Sequence, residues 1–458
     1  MNYPYGKAAF MILVLAVVSG AAHLALSSRR QAEKPDLVMA IFAQNHEEAY
    51  RAVLPEFERR HGVSVRLQRV STRALQSRLQ SALLTGAEVP DVVELVEGSI
   101  GYFTRGPLED VGFLDMTDRL HDEGLYDQMV ESRYSLWSSR SRIFAMPHDV
   151  HPVALCYRRD LVEQLGLDVN ALKTWDDFVA MGRSVVTDLD GDGNPDRYAL
   201  DTPLSSATAI QILMLQRGGQ LFDEQGRVAF DSDIVAETIA WYVRQTIGPE
   251  RIGYDAGWGQ SLAKAMNDGL VLFFFCPDWR TKQFEMDMPN LSGKLGLIPL
   301  PAWKPGGRRT SSWGGTGLAI TRRCKRPDLA WKLARFLYLS PADLGKRFSD
   351  MNIVPPLKDA WNMPEFDEPR EYYGGQAIGR LYAELAPETP PLYVSPYSGL
   401  ASTKLTDVYL NAMDHYRRHG DADLVPHIHD ELKTRADYVR KVIARNTFLS
   451  ATDGRTTE

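Results

Sequence analysis

Five oxygen-bearing side chains alternate through the stretch TDLDGDGNPDRYAL: Asp188, Asp190, Asp192, Asn194 and Asp196. Carboxylates two residues apart, with Gly193 at the sharp turn, are the front half of a calcium loop, because a hard divalent cation takes oxygen ligands. The loop is incomplete as a sensor. Its twelfth position, where a bidentate glutamate would close the shell, is Ala199, and Pro195 removes a backbone donor. The following RYALDTP reads as a strand, whereas a sensor needs paired helices that reorient on binding. Two readings stand: a structural Ca²⁺ site between a helix and a strand, and an acidic surface turn.

A second set of chemistry-bearing residues follows the ends of predicted strands. It comprises Asn45 and His46, Glu97 and Gly98, Asp149, then Asp278 with Trp279 and Arg280, and Trp313 with Gly314 and Gly315. In open α/β sheets a ligand sits in the crevice beyond the carboxyl ends of the strands. Carboxylates and amides accept from hydroxyl groups, indole faces cover the apolar side of a sugar ring, and paired glycines let backbone approach closely. This is chemistry for gripping a polyhydroxylated ligand, with few nucleophiles. Each residue also has a plainer role. A strand-end tryptophan often only packs, Asn45 can cap the next helix, and Asp149 can cap or pair with Arg158. His148 and His151 flank Asp149, a weak metal-like spacing.

The elements that must position these residues alternate. DLVMAIFA reads as a buried strand, HEEAYRAVLPEFERRHG as a helix stopped by Gly62, VSVRLQRV as a half-buried strand, and RALQSRLQSALLTG as an amphipathic helix ending at Gly86. PDVVELV is a further buried strand. The pattern resumes with VALCYRRDLVEQLGL, with WDDFVAMGRSVV capped by Thr174, with the strand LVLFFFC, with KLGLIPLPAW leading into a Pro/Gly-rich turn, and with the strand SSWGGTGLAIT before the helix PDLAWKLARFLYLS. Such alternation predicts parallel α/β sheets. No repeat or low-complexity linker interrupts it.

At 458 residues the chain is long enough for two lobes. Its 44% hydrophobic and 24% charged residues are those of a globular protein, and the net charge of −7 supplies no general attraction to nucleic acid or anionic lipid. Cys156, Cys276 and Cys324 lie far apart, without zinc or redox spacing, and read as buried single thiols. After Lys7 an uncharged run extends from Ala8 to Leu26, with small residues near Ser19 to Ala22. It matches an export signal and is also long enough to span a bilayer. Arg29, Arg30 and Lys34 follow it, which disfavours passage of that flank. No cysteine stands near its end, so a lipid-anchored cysteine is not expected. Residues 1–30 are therefore read as a signal peptide or an N-terminal membrane anchor of an exported domain.

The order of segments resembles the bacterial extracellular solute-binding proteins of the carbohydrate-importer class, the relatives of maltose-binding protein. The resembling pieces are VLPEFERRHGVSVRLQRV, PDVVEL, IFAMPHDVHPVALCYRRDLVEQLGL with KTWDDFVAMG, DLDGDGNPDRYAL, AMNDGLVLFFFCPDW, and LGLIPLPAW…SSWGGTGLAIT with RPDLAWKLARFLY. They run from about Asp36 to about Pro356, and the C-terminal hundred residues match only loosely. The resemblance implies an α/β, two-lobed periplasmic-binding-protein type II fold with the ligand cleft between the lobes. Lobe 1 would be residues 36–147 plus 313–349, and lobe 2 residues 152–309 plus 350–448. The chain would cross between them near Pro147 to Pro152, Arg309 to Trp313 and Asp350 to Pro355. It supports Asn45, Glu97, Asp149, Trp279, Trp313 and Gly314 as ligand contacts, adds Tyr254 and Trp258, and places the acidic turn away from the ligand. FFFCPDW departs from the small or aliphatic residues common before the tryptophan of the second lobe.

The resulting expectation is a non-enzymatic binding protein, usually monomeric in this class, which closes on a sugar and delivers it to an ABC permease and ATPase. The chain itself has no GxxxxGK[ST] loop. Two rivals come from other classes. A glycoside hydrolase needs two facing carboxylates, though GxSxG and HExxH are absent. A tethered sensory domain would retain the N-terminal helix.

Overall fold

The computed structural model describes residues 10–20 and 34–450. Residues 10–20 form a short helix with Ile12 and Leu15 exposed. No helix among the described residues is long and apolar enough to cross a membrane. The rest of the expected signal or anchor, 1–9 and 21–30, lies outside the described residues.

Ten strands build two five-stranded sheets. In chain order they are β1 (Leu37–Ile41), β2 (Val65–Arg69), β3 (Val92–Val96), β4 (Met146–Pro147), β5 (Val153–Arg158), β6 (Tyr198–Asp201), β7 (Gly253–Tyr254), β8 (Val271–Pro277), β9 (Leu295–Pro299) and β10 (Thr316–Ile320). The first sheet has the order β2-β1-β3-β10-β4 and the second β9-β5-β8-β6-β7. The first three strands are parallel, linked by α1 (Gln44–His61) and α2 (Thr72–Thr85). Both helices end on a left-handed glycine, Gly62 at φ 63° and Gly86 at φ 81°, whose N–H groups close onto Glu58 and Ala82 carbonyls. Only glycine holds that conformation without a steric cost.

The expectation of purely parallel sheets is corrected. β10 runs antiparallel to β3 and β4, and β5 runs antiparallel to β8 and β9. The reason is the chain path. β1 to β3 run toward the junction of the lobes, whereas β5 and β10 each enter a sheet from that junction and run away from it.

Each sheet carries its own core. Leu37, Met39 and Ile41 of β1 pack with Tyr50 and Phe57 of α1 and with Trp331 and Leu337 of α6, where α3 is Trp175–Val185, α4 Asp233–Ile247, α5 Asp278–Asp287 and α6 Pro327–Tyr338. In the second lobe Phe273 and Phe275 of β8 meet Trp175 and Phe178 of α3. Thr174 starts α3 with a reciprocal capping box to Asp177, as its sequence indicates. Two long helices, α7 (Ser398–His419) and α8 (Leu424–Ile443), close the second lobe by packing Tyr409 and Leu432 against α4.

The segment before α7 does not stay with the second lobe. Leu392 packs with Leu95, Ile100 and Trp137 of the first lobe, and its N–H donates to Ser135 Oγ at 3.0 Å. Arg105 Nη2 reaches the Pro396 carbonyl at 3.3 Å. The assignment of residues 350–448 wholly to lobe 2 is therefore corrected for this stretch, because its apolar side chains find a dry surface on lobe 1.

Gly317, on β10 of the first sheet, lies against Trp137, a fully buried indole, and a Cβ there would stand 2.5 Å from Trp137 Cε2. Gly317→Ala is expected to lower the unfolding free energy by about 1–3 kcal/mol through overpacking. Urea unfolding measures it, and an unchanged midpoint would show that the indole has room to move.

Candidate functional site

Three chain segments lie side by side between the two sheets. Val150 N–H donates to the Val354 carbonyl at 3.0 Å, Val153 N–H to the Ser311 carbonyl at 3.2 Å, and His148 N–H to the Thr316 carbonyl at 2.9 Å. Charged side chains knot them together. Arg133 is fully buried, and its guanidinium donates to the Asp149 carbonyl at 3.2 Å, Ser312 Oγ at 2.7 Å and the Gly314 carbonyl at 2.8 Å. Asp149 accepts from Thr316 N–H and stands 3.1 Å from His151 Nε2. The other nitrogen of His151, Nδ1, lies 2.6 Å from Asp278 Oδ1. Asp278, in the first turn of α5, also accepts from Trp279 N–H and, through Oδ2, from Val354 N–H at 2.7 Å. One imidazole thus joins two carboxylates that hold all three segments.

The electrostatics follow from this geometry. Burial alone would lower the His151 pKa, but Asp149 and Asp278 raise it from 6.5 to about 10, so His151 is a cation near neutral pH. Burial alone would raise Asp149, but His151 and His148 hold it well below the usual carboxylate range. Burial pushes the carboxyl of Glu97 up, against the pull of Arg133.

Beside this knot an aromatic shelf opens to solvent. Trp313 meets Trp279 edge-on at 5.4 Å and Trp258 at 6.3 Å between ring centroids. Trp279 Nε1–H donates to the Trp313 carbonyl at 3.0 Å. Beneath them Arg280, buried, places its guanidinium carbon 4.8 Å from the Trp258 ring and 5.2 Å from that of Trp313, and donates to the Phe275 carbonyl at 2.6 Å. Trp258 is 54% exposed and Tyr254 39%. Asp201, at the end of β6, lies under the same shelf; burial pushes its pKa up to about 6 while Arg280 pulls it down. Edge-to-face aromatic surface with a buried cation behind it suits an apolar ring face carrying hydroxyl groups.

On the first-lobe side the His46 ring lies in a buried network. Its Nδ1 is 2.9 Å from Glu94 Oε2, and its ring centroid is 4.4 Å from that of His148. Glu94 Oε1 accepts from Tyr338 at 2.8 Å and from Tyr50.

The structure gathers some of the residues singled out from sequence and separates others. Trp258, Trp279 and Trp313 present aromatic surface at the shelf, whereas the Tyr254 ring, half-exposed, meets Tyr198 at 5.0 Å between centroids. Asp149 and Asp278 are buried in the knot, with their oxygens occupied by protein donors. Gly314, at φ 102°, and Gly315 do allow a close approach, but to His151, Trp279 and Arg133: a Cβ on Gly314 would be 3.1 Å from His151 Cδ2, and one on Gly315 3.0 Å from Arg133 Nη2. Asn45 is not the cap of α1; the cap position is Ala43, without a side-chain bond, and Asn45 is exposed on the first turn. The pairing of Asp149 with Arg158 is also corrected, since Arg158 binds Asp160 at 2.8 Å. Arg133, Glu94 and Asp201 escaped the strand-end reading. Glu94 had a signal, a carboxylate inside the apolar run VVELV; Arg133 had none.

In the acidic turn, Asp188 accepts from Gly191 and Gly193 N–H, Asp192 from Asn194 N–H, and Asp196 from Leu189 N–H. One oxygen from each of Asp188, Asp190 and Asp196 lies within 4.8 Å of the others. The donor set is all oxygen and fits a hard cation.

Comparison with known proteins adds a family model described as "Bacterial extracellular solute-binding protein", which matches residues 43–343. An arabinooligosaccharide-binding protein of Halalkalibacterium halodurans is 27% identical over 330 residues, covering 71% of this chain and 72% of the relative. One from Bacillus subtilis is 26% identical over 396 residues, covering 84% and 88%. The solved sugar-binding protein MalE of Xanthomonas citri superposes with a TM-score of 0.70 at 17% identity, covering 89% of this chain and 99% of that one. This last likeness establishes the two-lobed fold.

The His151 cluster makes stability depend on pH with a fixed sign. His151 binds its proton more tightly folded than unfolded, so its contribution is complete below about pH 6.5 and is lost by as much as ~1.4 kcal/mol per pH unit as the pH rises toward about 10. His151→Gln is expected to flatten that slope and, by leaving two buried carboxylates without their cation, to cost about 3–5 kcal/mol near neutrality. Urea unfolding between about pH 6 and pH 9 checks both; equal slopes in the two proteins would sink the assignment.

Proposed function

This chain belongs to the bacterial extracellular solute-binding protein family, and we propose that it captures an oligosaccharide by closure of its lobes and delivers it to an ABC importer. The observation that carries the reading is the shelf of Trp258, Trp279 and Trp313 at the junction of two sheets, backed by Arg280 and open to solvent. Membership in an extracellular family and the uncharged run from Ala8 to Leu26 support export. The two arabinooligosaccharide-binding relatives make arabinose oligomers the first ligands to try.

The mechanism rests on differential affinity. A sugar ring laid on the Trp258 and Trp279 indoles of lobe 2 reaches the further groups of lobe 1 only when the lobes approach, so bound ligand stabilises the closed form by its extra contacts there. Glu97 is a lobe 1 carboxylate beside the shared hinge, where its backbone N–H donates to the Gly315 carbonyl at 2.8 Å. The closed form, presenting both lobes in one relative orientation, is what a permease with its ATPase would recognise. Calcium, held by Asp188, Asp190, Asp192, Asn194 and Asp196, would brace the turn between α3 and β6.

Thermal unfolding of the purified protein against mono- and oligosaccharides tests the reading. A ligand at a hundredfold its Kd adds about 2.7 kcal/mol of stability. A midpoint shift with one sugar class and no product formed is the expected result, and product formation would make the protein an enzyme. Trp258→Ala is expected to weaken the responding sugar at least about tenfold, roughly 1.4 kcal/mol, with little change in the unliganded midpoint. No response to any sugar would remove the proposal. For calcium, a midpoint higher with the ion than with chelator, and insensitive to it in Asp190→Asn, is expected; equal midpoints would leave an acidic turn alone.

A further inference from the structure

We propose that His46, Glu94 and His148 form a binding site for a divalent transition-metal ion of the zinc type, buried where the first lobe meets the hinge. The three residues come from three places in the chain: the first turn of α1, the middle of β3 and the crossing segment that leaves the first sheet after β4. All three are buried, and one ligand atom from each lies within 4.8 Å of those of the other two. In a tetrahedral site with bonds of about 2.0–2.2 Å, ligand atoms are ~3.4 Å apart, so side-chain shifts on the order of 1 Å close this group onto an ion.

The groups around His148 and Glu94 already orient them as outer ligands do in metal sites. His148 Nδ1 is 3.2 Å from Asp149 Oδ2, and a proton held there leaves the lone pair on Nε2. Glu94 Oε1 accepts from the hydroxyls of Tyr50 and Tyr338, which leaves Oε2, on the His46 side, as the ligand oxygen. A hydrogen-bonded network alone accounts for the Glu94 contacts. It does not account for two imidazoles brought together at 4.4 Å, each with a ring nitrogen within 4.8 Å of a Glu94 oxygen. Two imidazoles and one carboxylate are a donor set for zinc-type ions, in contrast to the all-oxygen acidic turn. An ion held here would fasten α1 and β3 to the crossing segment that carries Asp149, and so tie the first lobe to the knot that organises the hinge.

The test uses the full chain, stripped with chelator and titrated with Zn²⁺ by calorimetry, and with Co²⁺ to read the visible absorption of a tetrahedral site. One saturable equivalent is expected, weakened by at least about 10–100-fold, the loss typical of an outer partner alone, in His46→Gln and in His148→Gln. Two variants control for other sites. His427→Gln probes the surface rings of His415, His419 and His427, and Asp190→Asn the acidic turn; both should bind Zn²⁺ as the parent does. Absence of saturable binding overturns the proposal. So does binding that survives both hinge-side substitutions, or that is lost in either control. Should the histidine variants fail to fold, anomalous scattering at the zinc edge from the parent protein decides the matter by locating the ion between the three side chains or elsewhere.

Discussion

The imidazolium of His151, held between Asp149 and Asp278, is the contact on which the arrangement of both lobes depends. Three chain segments pass between the sheets, and a bare backbone crossing would let them slide. Instead Asp149 fastens the first segment to Thr316, Asp278 fastens the helix of the second lobe to Val354, and Arg133 fastens the first segment to Ser312 and Gly314. Buried charges are costly unless paired and hydrogen-bonded. Here two cations and two anions meet, so the desolvation of each is offset only while the others hold their places. Such a knot defines one geometry for the hinge rather than adding great stability.

The aromatic shelf grows out of the same contact. Asp278 begins α5, so the residue that fixes His151 also fixes where Trp279 and Arg280 emerge from β8. The carbonyl of Trp313, one residue beyond the Ser312 held by Arg133, accepts from Trp279. Gly314 has no side chain because His151 and Trp279 occupy that space. Hinge and aromatic shelf are thus built from neighbouring residues of the same few segments. The crossing segment around Leu392, seated on the first lobe, adds a further tie between the lobes.

Much of this was legible in the chain itself. Apolar runs such as LVLFFFC became β8, the glycines after α1 and α2 became their left-handed ends, and Thr174 capped α3. The strand-end rule led to Asp149, Asp278, Trp279 and Trp313, all of which do meet at one place. It misjudged what two of them do there, because a carboxylate at a strand end looks the same whether it faces a sugar hydroxyl or a buried imidazolium. Arg133 was illegible, since it sits in a short irregular helix with no periodicity to mark it. The direction of β10 was also hidden, since alternation of strands and helices says nothing about the side from which a chain re-enters a sheet.

What the sequence alone determined is local: which segments are strands and helices, where they stop, that an acidic turn follows α3, and that indoles and carboxylates gather after strands. These are set by the spacing of apolar residues and by the conformational limits of glycine and proline, which act within a few residues. Only the tertiary structure decided which strand-end groups are turned inward. It paired His151 with two aspartates 2 and 127 positions away, and His46 with Glu94 at 48. Such partners are chosen by the burial of charge in a low-dielectric junction that exists only once both sheets have formed, so no local pattern encodes them.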